Sequence, residues 1–183
     1  MADKKFDLVF VDVETTGLNP EEDEIIELAA IRVDPWTMAE KSRFHRLFMP
    51  SFEPSDEVKK INGFDRAKWV ESEAVEWTEK DLQDLCPLLE GAAFAGQNPA
   101  FDRSFIQAAF EFVGPVPMPP MDYHLVDVAS LAWPLFIAGL IPGMSLKHTR
   151  KYFGLEGEQK HRALADVEDT IAVYVKLMEL WKK

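Results

Sequence analysis

The sequence predicts an α/β fold: a mixed β-sheet flanked by helices. Residues 6–13 read Phe-Asp-Leu-Val-Phe-Val-Asp-Val, a near-continuous apolar run of the kind a central strand carries. Strand-like segments come first in the chain, and strands alternating with helices come after them, an order that suggests a mixed sheet between helices. The last segment, residues 163–181, repeats apolar residues at helical spacing and supplies a covering helix.

The elements follow in order. Residues 24–34, rich in Ile and Ala and ended by Asp34-Pro35, form a second strand. Residues 42–52 alternate Phe44, Arg46 and Phe48 and can pair with it as a hairpin or meander. Residues 56–61 form a short helix closed by Asn62-Gly63, a pair suited to a left-handed C-terminal cap. Thr78 is placed to cap a helix over 78–89, with Asp81 at its third position. Residues 92–97 are a short strand of small residues. Asn98-Pro99 then opens a helix to about residue 113 with a cap and a first-turn proline. A Pro-rich loop, 114–120, leads to a strand over 123–128 and an apolar helix ending near Gly139. Residues 145–153 form a helix closed by Gly154. The final helix has Leu164, Val167, Ile171, Val175 and Met178 as its expected core stripe.

A chain of 183 residues fits one domain, 1–183, with a core large enough to need no staples. Hydrophobic residues at 47% and aromatics at 11% exclude disorder as the global state. The single cysteine, Cys86, cannot form an internal disulfide. No signal peptide is visible, and the longest apolar stretch, 129–141, is interrupted by Pro134 and too short to span a bilayer. These features lead to the expectation of a soluble, cytoplasmic protein without a membrane partner. A net charge of −12 argues against non-specific coating of nucleic acid, although two bound divalent cations would reduce it to −8 within a cleft. Short contacts to one strand are expected, not a long basic groove.

Three clusters carry the chemistry: Asp12-Val13-Glu14-Thr15-Thr16-Gly17, Asn98-Pro99-Ala100-Phe101-Asp102, and His161-Arg162-Ala163-Leu164-Ala165-Asp166. Residues two apart in a strand share a face, so Asp12 and Glu14 point the same way as Leu8 and Phe10. Two carboxylates there repel each other and resist burial unless a cation lies between them. A frayed, hydrated strand end is the plainer reading of that pair alone. Asp102 shares a helical face with Phe105, Ile106 and Ala109. Complementing the helix dipole explains an acid in a first turn but not one aimed at the core; metal ligation explains both. Asp166 flanks the last helix's stripe with Ala163 and Thr170, while His161 belongs to the preceding loop.

Together the three motifs, Asp-x-Glu-Thr-Thr-Gly-Leu, Asn-x-x-x-Asp with a preceding Phe, and His-x-Ala-Leu-x-Asp, resemble those of the DnaQ-like (DEDDh) 3′–5′ exonucleases, in order and in spacing. Asn62-Gly63-Phe64 is similar to the short segment those proteins carry between the first two motifs. The resemblance covers nearly the whole chain and implies a ribonuclease H-like fold with a mixed five-stranded sheet. It further implies that Asp12, Glu14, Asp102 and Asp166 ligate two Mg²⁺ or Mn²⁺ ions and that His161 is the general base. Independently of the family, oxygen donors suit hard cations, and two such ions with a histidine suit phosphodiester hydrolysis. The resemblance places Thr15, Thr16, Gly17 and Leu18 beside the terminal nucleotide. Leu18 and Phe101 could pack on the last bases; for Phe101, core filling is an equal reading. Asn98 could orient the site, but a capping role already accounts for it. The cationic cluster Lys147, His148, Arg150 and Lys151 reads as a solvated helix face, and His45 and His124 as structural.

The expected activity is removal of nucleoside 5′-monophosphates from the 3′ end of single-stranded DNA, with a polymerase or repair protein as a conceivable partner. No residue declares exclusion of a 2′-hydroxyl, so an exoribonuclease trimming RNA ends is the alternative. A catalytically silent binding module and a nucleotide phosphatase are further alternatives, the first disfavoured because all five residues are present.

Overall fold

A computed structural model describes residues 6–155 and 162–181. Five strands, β1 (Leu8–Thr15), β2 (Ile25–Val33), β3 (Glu40–Leu47), β4 (Ala93–Gly96) and β5 (Leu125–Asp127), form one sheet in the order β3-β2-β1-β4-β5. The β1–β2–β3 meander is antiparallel, while β4 and β5 add parallel to β1, giving the expected mixed sheet. Eight described helices surround it: α1 (Asp56–Asn62), α2 (Arg66–Glu71), α3 (Glu79–Leu89), α4 (Pro99–Phe112), α5 (Val128–Leu131), α6 (Trp133–Ile137), α7 (Leu146–Tyr152) and α8 (Ala163–Trp181).

Alternation along β1 builds two cores. Val9, Val11 and Val13 pack against Leu82, Leu85, Phe105 and Ile106 of α3 and α4. Leu8 and Phe10 pack on the opposite face with Val167, Val173 and Leu177 of α8. With both faces covered, β1 is apolar throughout until its C-terminal end. Small residues in β4 allow close pairing: a Cβ on Gly96 would lie 2.9 Å from the Val11 carbonyl oxygen. Gly63 (φ 70°) closes α1 in the expected left-handed cap. Asp81 accepts from the Thr78 N–H at 2.8 Å and from its hydroxyl, holding the start of α3.

Four expectations need correction. The apolar helix toward Gly139 is two short helices, because Pro134 offers no N–H to the preceding turn; Ala132 closes α5 and caps α6, with Pro134 in the first turn of the latter. The third strand ends at Leu47, and the next residue, Phe48, makes an isolated bridge to Val75. The buried face of α8 is Ala163, Asp166, Val167, Thr170, Val173 and Leu177, a stripe rotated from the expected one. Small side chains let that face approach the sheet, while Leu164, Ile171 and Met178 pack at its flank. Helix α2 was not anticipated; Asp65 caps it, and Trp69 anchors it by donating to the Ile26 carbonyl at 3.0 Å. No helix among the described residues is long and apolar enough to cross a membrane.

Candidate active site

The site forms where β1 outruns its parallel neighbour. Pairing with β4 reaches only Phe10–Ala95, yet β1 continues to Thr15. Side chains replace the missing strand. The Val13 N–H donates to Asp102 Oδ1 at 3.0 Å, and the buried Asn62 amide donates to the Thr15 carbonyl at 2.9 Å. Asp102 therefore arrives from the first turn of α4, buried against the end of β1. Asp12 and Glu14 project toward the α8 side, where Asp166 stands in the first turn of that helix. Asp12, Glu14 and Asp166 each offer a carboxylate oxygen, all within 4.8 Å of one another.

Such crowding changes proton affinity. Burial, then the charges of Asp102, Glu14, Asp166 and Glu27, push the Asp12 carboxyl well above its ordinary range. Burial and repulsion from Asp166, Glu27 and Asp102 raise Glu14 to about 8, with Arg162 opposing. Burial raises Asp102 to about 7 against the pull of the Val13 N–H. Without a cation the cluster holds protons; a divalent cation would take their place. The donor set is all oxygen, as Mg²⁺ or Mn²⁺ prefer, so the residues present fit such ions.

Another buried carboxylate lies next door and behaves oppositely. Glu27 pairs with Glu14 across β1 and β2 and is 1% exposed. Burial pushes it up, but hydrogen bonds and charge from His45 and Arg162 hold it below the ordinary range. Arg162 Nε donates to Glu27 Oε2 at 2.6 Å, His45 Nε2 meets Oε1 at 2.8 Å, and the guanidinium lies 5.3 Å from the Trp69 ring. Glu27 thus stays ionised as an anchor for Arg162, the residue that opens the described part of the third motif. Neither Glu27 nor Arg162 was anticipated, although a lone acid within Ile-Ile-Glu-Leu-Ala-Ala-Ile was a visible signal. His45, expected as a structural residue, pairs with this buried carboxylate.

Residues expected to meet substrate divide. Thr15 and Thr16 are buried, and the Thr16 hydroxyl is committed to the turn, donating to Asp23 at 3.1 Å and accepting from the Glu24 N–H at 2.9 Å. Gly17 has no room for a Cβ, which would collide with the Asp23 carboxylate. Leu18 stands at the tip, 82% exposed. Phe101 is half-buried, 4.9 Å from the Phe105 ring and packed on the α3–α4 core. Asn98 is corrected: it precedes α4 but is left-handed (φ 64°) and its side chain makes no capping hydrogen bond. Instead its N–H donates to Asp127 at 3.0 Å, an acid that also caps α5. Arg150 is buried against Asp169 at 3.0 Å, so the α7 cations are not one solvated face. His161 lies outside the described residues.

Residues 9–174 match the exonuclease family of RNase T type. The chain belongs to this DnaQ-like exonuclease family, as its fold and acidic cluster indicate. It is similar to the PolC-type DNA polymerase III of Staphylococcus saprophyticus, with 29% identity over 171 residues, 93% of this chain and 11% of that protein. The PolC-type polymerase of Staphylococcus aureus is 28% identical over 175 residues, 96% of this chain and 12% of that protein. The chain thus spans about an eighth or less of these relatives' length. In structure it resembles E. coli exonuclease I in complex with a dA16 oligonucleotide, at TM-score 0.76 and 22% identity, covering 96% of this chain and 41% of that one. Exonuclease X in complex with 5′ overhanging duplex DNA gives TM-score 0.64 and 22% identity, covering 94% and 92%. At such identity the likeness is one of fold.

Proposed function

We propose that this chain is a metal-dependent 3′–5′ exonuclease that releases nucleoside 5′-monophosphates from single-stranded DNA ends. The observation that carries the reading is the meeting of Asp12, Glu14 and Asp166 within 4.8 Å, with Asp102 fixed beside them on the Val13 N–H. Family membership gives the reaction class. Exonuclease I bound to a DNA oligonucleotide and the PolC-type polymerases support a DNA substrate.

Asp12, Glu14, Asp102 and Asp166 would hold two Mg²⁺ or Mn²⁺ ions, which when bound supply charge stabilisation at the attacking and leaving oxygens. His161 would take a proton from the attacking water, whose oxygen bonds to phosphorus as the bond from phosphorus to the 3′ oxygen breaks. The departing 3′ oxygen takes a proton from solvent, so the shortened strand ends in a new 3′-hydroxyl. Leu18, held in water by the Thr16–Asp23 turn, would stack on a terminal base without reading its identity. Phe101 backs the same end of α4.

A 5′-labelled DNA oligonucleotide and its RNA counterpart, incubated with Mg²⁺ or Mn²⁺, test the reading. The expected result is stepwise shortening from the 3′ end, faster on DNA, and arrested by EDTA. Faster loss of RNA would reassign the substrate to RNA ends, and prompt cutting of circular single strands would overturn the exonuclease reading. His161→Ala should lower turnover by about 10²–10⁴-fold with Mn²⁺ affinity retained. Recovery of that variant at high Mn²⁺ would make His161 a ligand instead of a base.

A further inference from the structure

On the α3–α4 side of the sheet, a groove of 570 Å³ opens between α4, the β1–β2 turn and residues 49–51 and 76–77. None of the four site acids lines it. Its floor is apolar. Trp77 lies stacked on Phe48 at 3.7 Å between centroids, Phe105 and Ala109 continue the surface, and Phe112 ends α4 with 69% of its area in water. A ring that large, left exposed at a groove, is the kind of surface that partners cover.

The rim carries the opposite character. Glu21, Glu22, Asp23, Glu24 and Glu76 surround the floor. None of them forms an ion pair among the described residues. Asp23 and Glu24 accept hydrogen bonds from neutral donors only, the Thr16 hydroxyl, the Asn19 N–H and Ser51. The cation on the wall, Arg66, is committed to Glu53. The last carbonyls of α4, at Phe112 and Val113, add further negative potential at the same end.

We propose that this groove docks a basic amphipathic peptide segment of a partner protein, one large apolar side chain seated against Trp77 and Phe112 and flanking Lys or Arg residues meeting the acidic rim. Charge decides the class of occupant. A nucleic acid would bring phosphates to five uncompensated carboxylates, away from the acids that a cation would neutralise, and would be repelled. A basic segment gains attraction on approach and hides the exposed ring once seated. The cavity has room for one or two large side chains.

Fluorescence anisotropy tests this on the full chain in EDTA, so that the outcome is independent of hydrolysis. The probe is a fluorescein-labelled peptide carrying Trp and Leu between Lys and Arg residues, with an Asp/Glu counterpart as control. The expected result is saturable binding of the basic peptide alone, weakened by salt. Phe112→Ser, and separately Glu22→Lys with Glu76→Lys, should weaken it by about tenfold or more. Glu57→Lys with Glu71→Lys, the same charge change on α1 and α2, should leave it within about twofold. Hydrolysis of oligonucleotides should be unchanged in all these variants. Absence of saturable binding, equal loss in the α1–α2 control, or weaker oligonucleotide binding by the groove variants would overturn the proposal. So would a dimer of this chain that Phe112→Ser dissolves, because the occupant would then be a second copy.

Discussion

Asp12, Glu14 and Asp166 sit where packing alone would place apolar side chains, and their repulsion is a standing cost to the metal-free fold. Asp166→Asn keeps the shape and removes a charge, so it should raise the unfolding temperature in EDTA while shrinking the increment that Mn²⁺ supplies. Turnover should fall by orders of magnitude in the same variant. Calorimetry with and without Mn²⁺ reads both effects, and an undiminished Mn²⁺ increment would remove Asp166 from the ligand set. Asn62 makes the opposite kind of contribution. It donates to the Thr15 carbonyl and accepts from the Phe64 N–H at 3.0 Å, both in buried surroundings. Asn62→Leu leaves those backbone groups without partners and should cost about 1–3 kcal/mol in urea unfolding. Replacing the exposed Lys60 by Leu should change little, which separates loss of the bonds from loss of local helix. The sequence showed Asn62 as half of a helix cap; its second role in closing β1 depends on two segments meeting across 47 residues, which no local pattern carries.

At the scale of elements, the β1–β2 turn is the part most sensitive to a single atom. Asp23 accepts from the Thr16 hydroxyl and the Asn19 N–H at 2.9 Å, and Gly17 leaves space for its carboxylate. Gly17→Ala forces that carboxylate away and should cost about 1–2 kcal/mol, roughly the two hydrogen bonds displaced. Because Leu18 follows directly, the variant should also raise the KM for oligonucleotides while its Mn²⁺ affinity holds; an unchanged KM would detach Leu18 from substrate. Elements with strong local signals were legible: the apolar run of β1, Asn62-Gly63 after α1, and the Thr78–Asp81 pair before α3. Where neighbours decide, the sequence misled. Size alone predicts a stripe of α8 through its largest residues, but the helix turns Ala163, Asp166 and Thr170 inward, where small side chains permit close approach and the acid reaches the end of β1. Asn98-Pro99 read as a side-chain cap, whereas Asp127 from β5 takes the Asn98 N–H and holds the residue left-handed. The four acids stood out since each broke an apolar pattern. Arg162 did not, because its partner Glu27 lies 135 residues away on another strand.

Across the whole molecule, 32 acids against 20 Lys and Arg make pH a direct probe of the site. Away from the site, Asp7, Glu27, Glu40 and Glu53 are held below their ordinary range by cations. Their stabilising effect is complete above the unfolded values of about 4 and is lost only as pH falls further. The site acids have the reverse sign. Glu14 rises from 4.5 to about 8, and Asp102 from 3.8 to about 7. Between those limits the folded, metal-free protein binds more protons than the unfolded chain, so this contribution to stability falls as pH rises. A cation competes with the same protons, and its affinity should climb through the same window. The gap in unfolding temperature between Mn²⁺ and EDTA should therefore widen from about pH 5.5 to about pH 8 and level off above it. Taking the gap cancels groups remote from the cluster, and the carboxylates held low are already fully ionised there. In Asp166→Asn the widening should be smaller, since less repulsion leaves Glu14 closer to its ordinary range. A gap that stayed constant with pH in the wild type would mean that Mn²⁺ stabilises the protein somewhere other than at these acids.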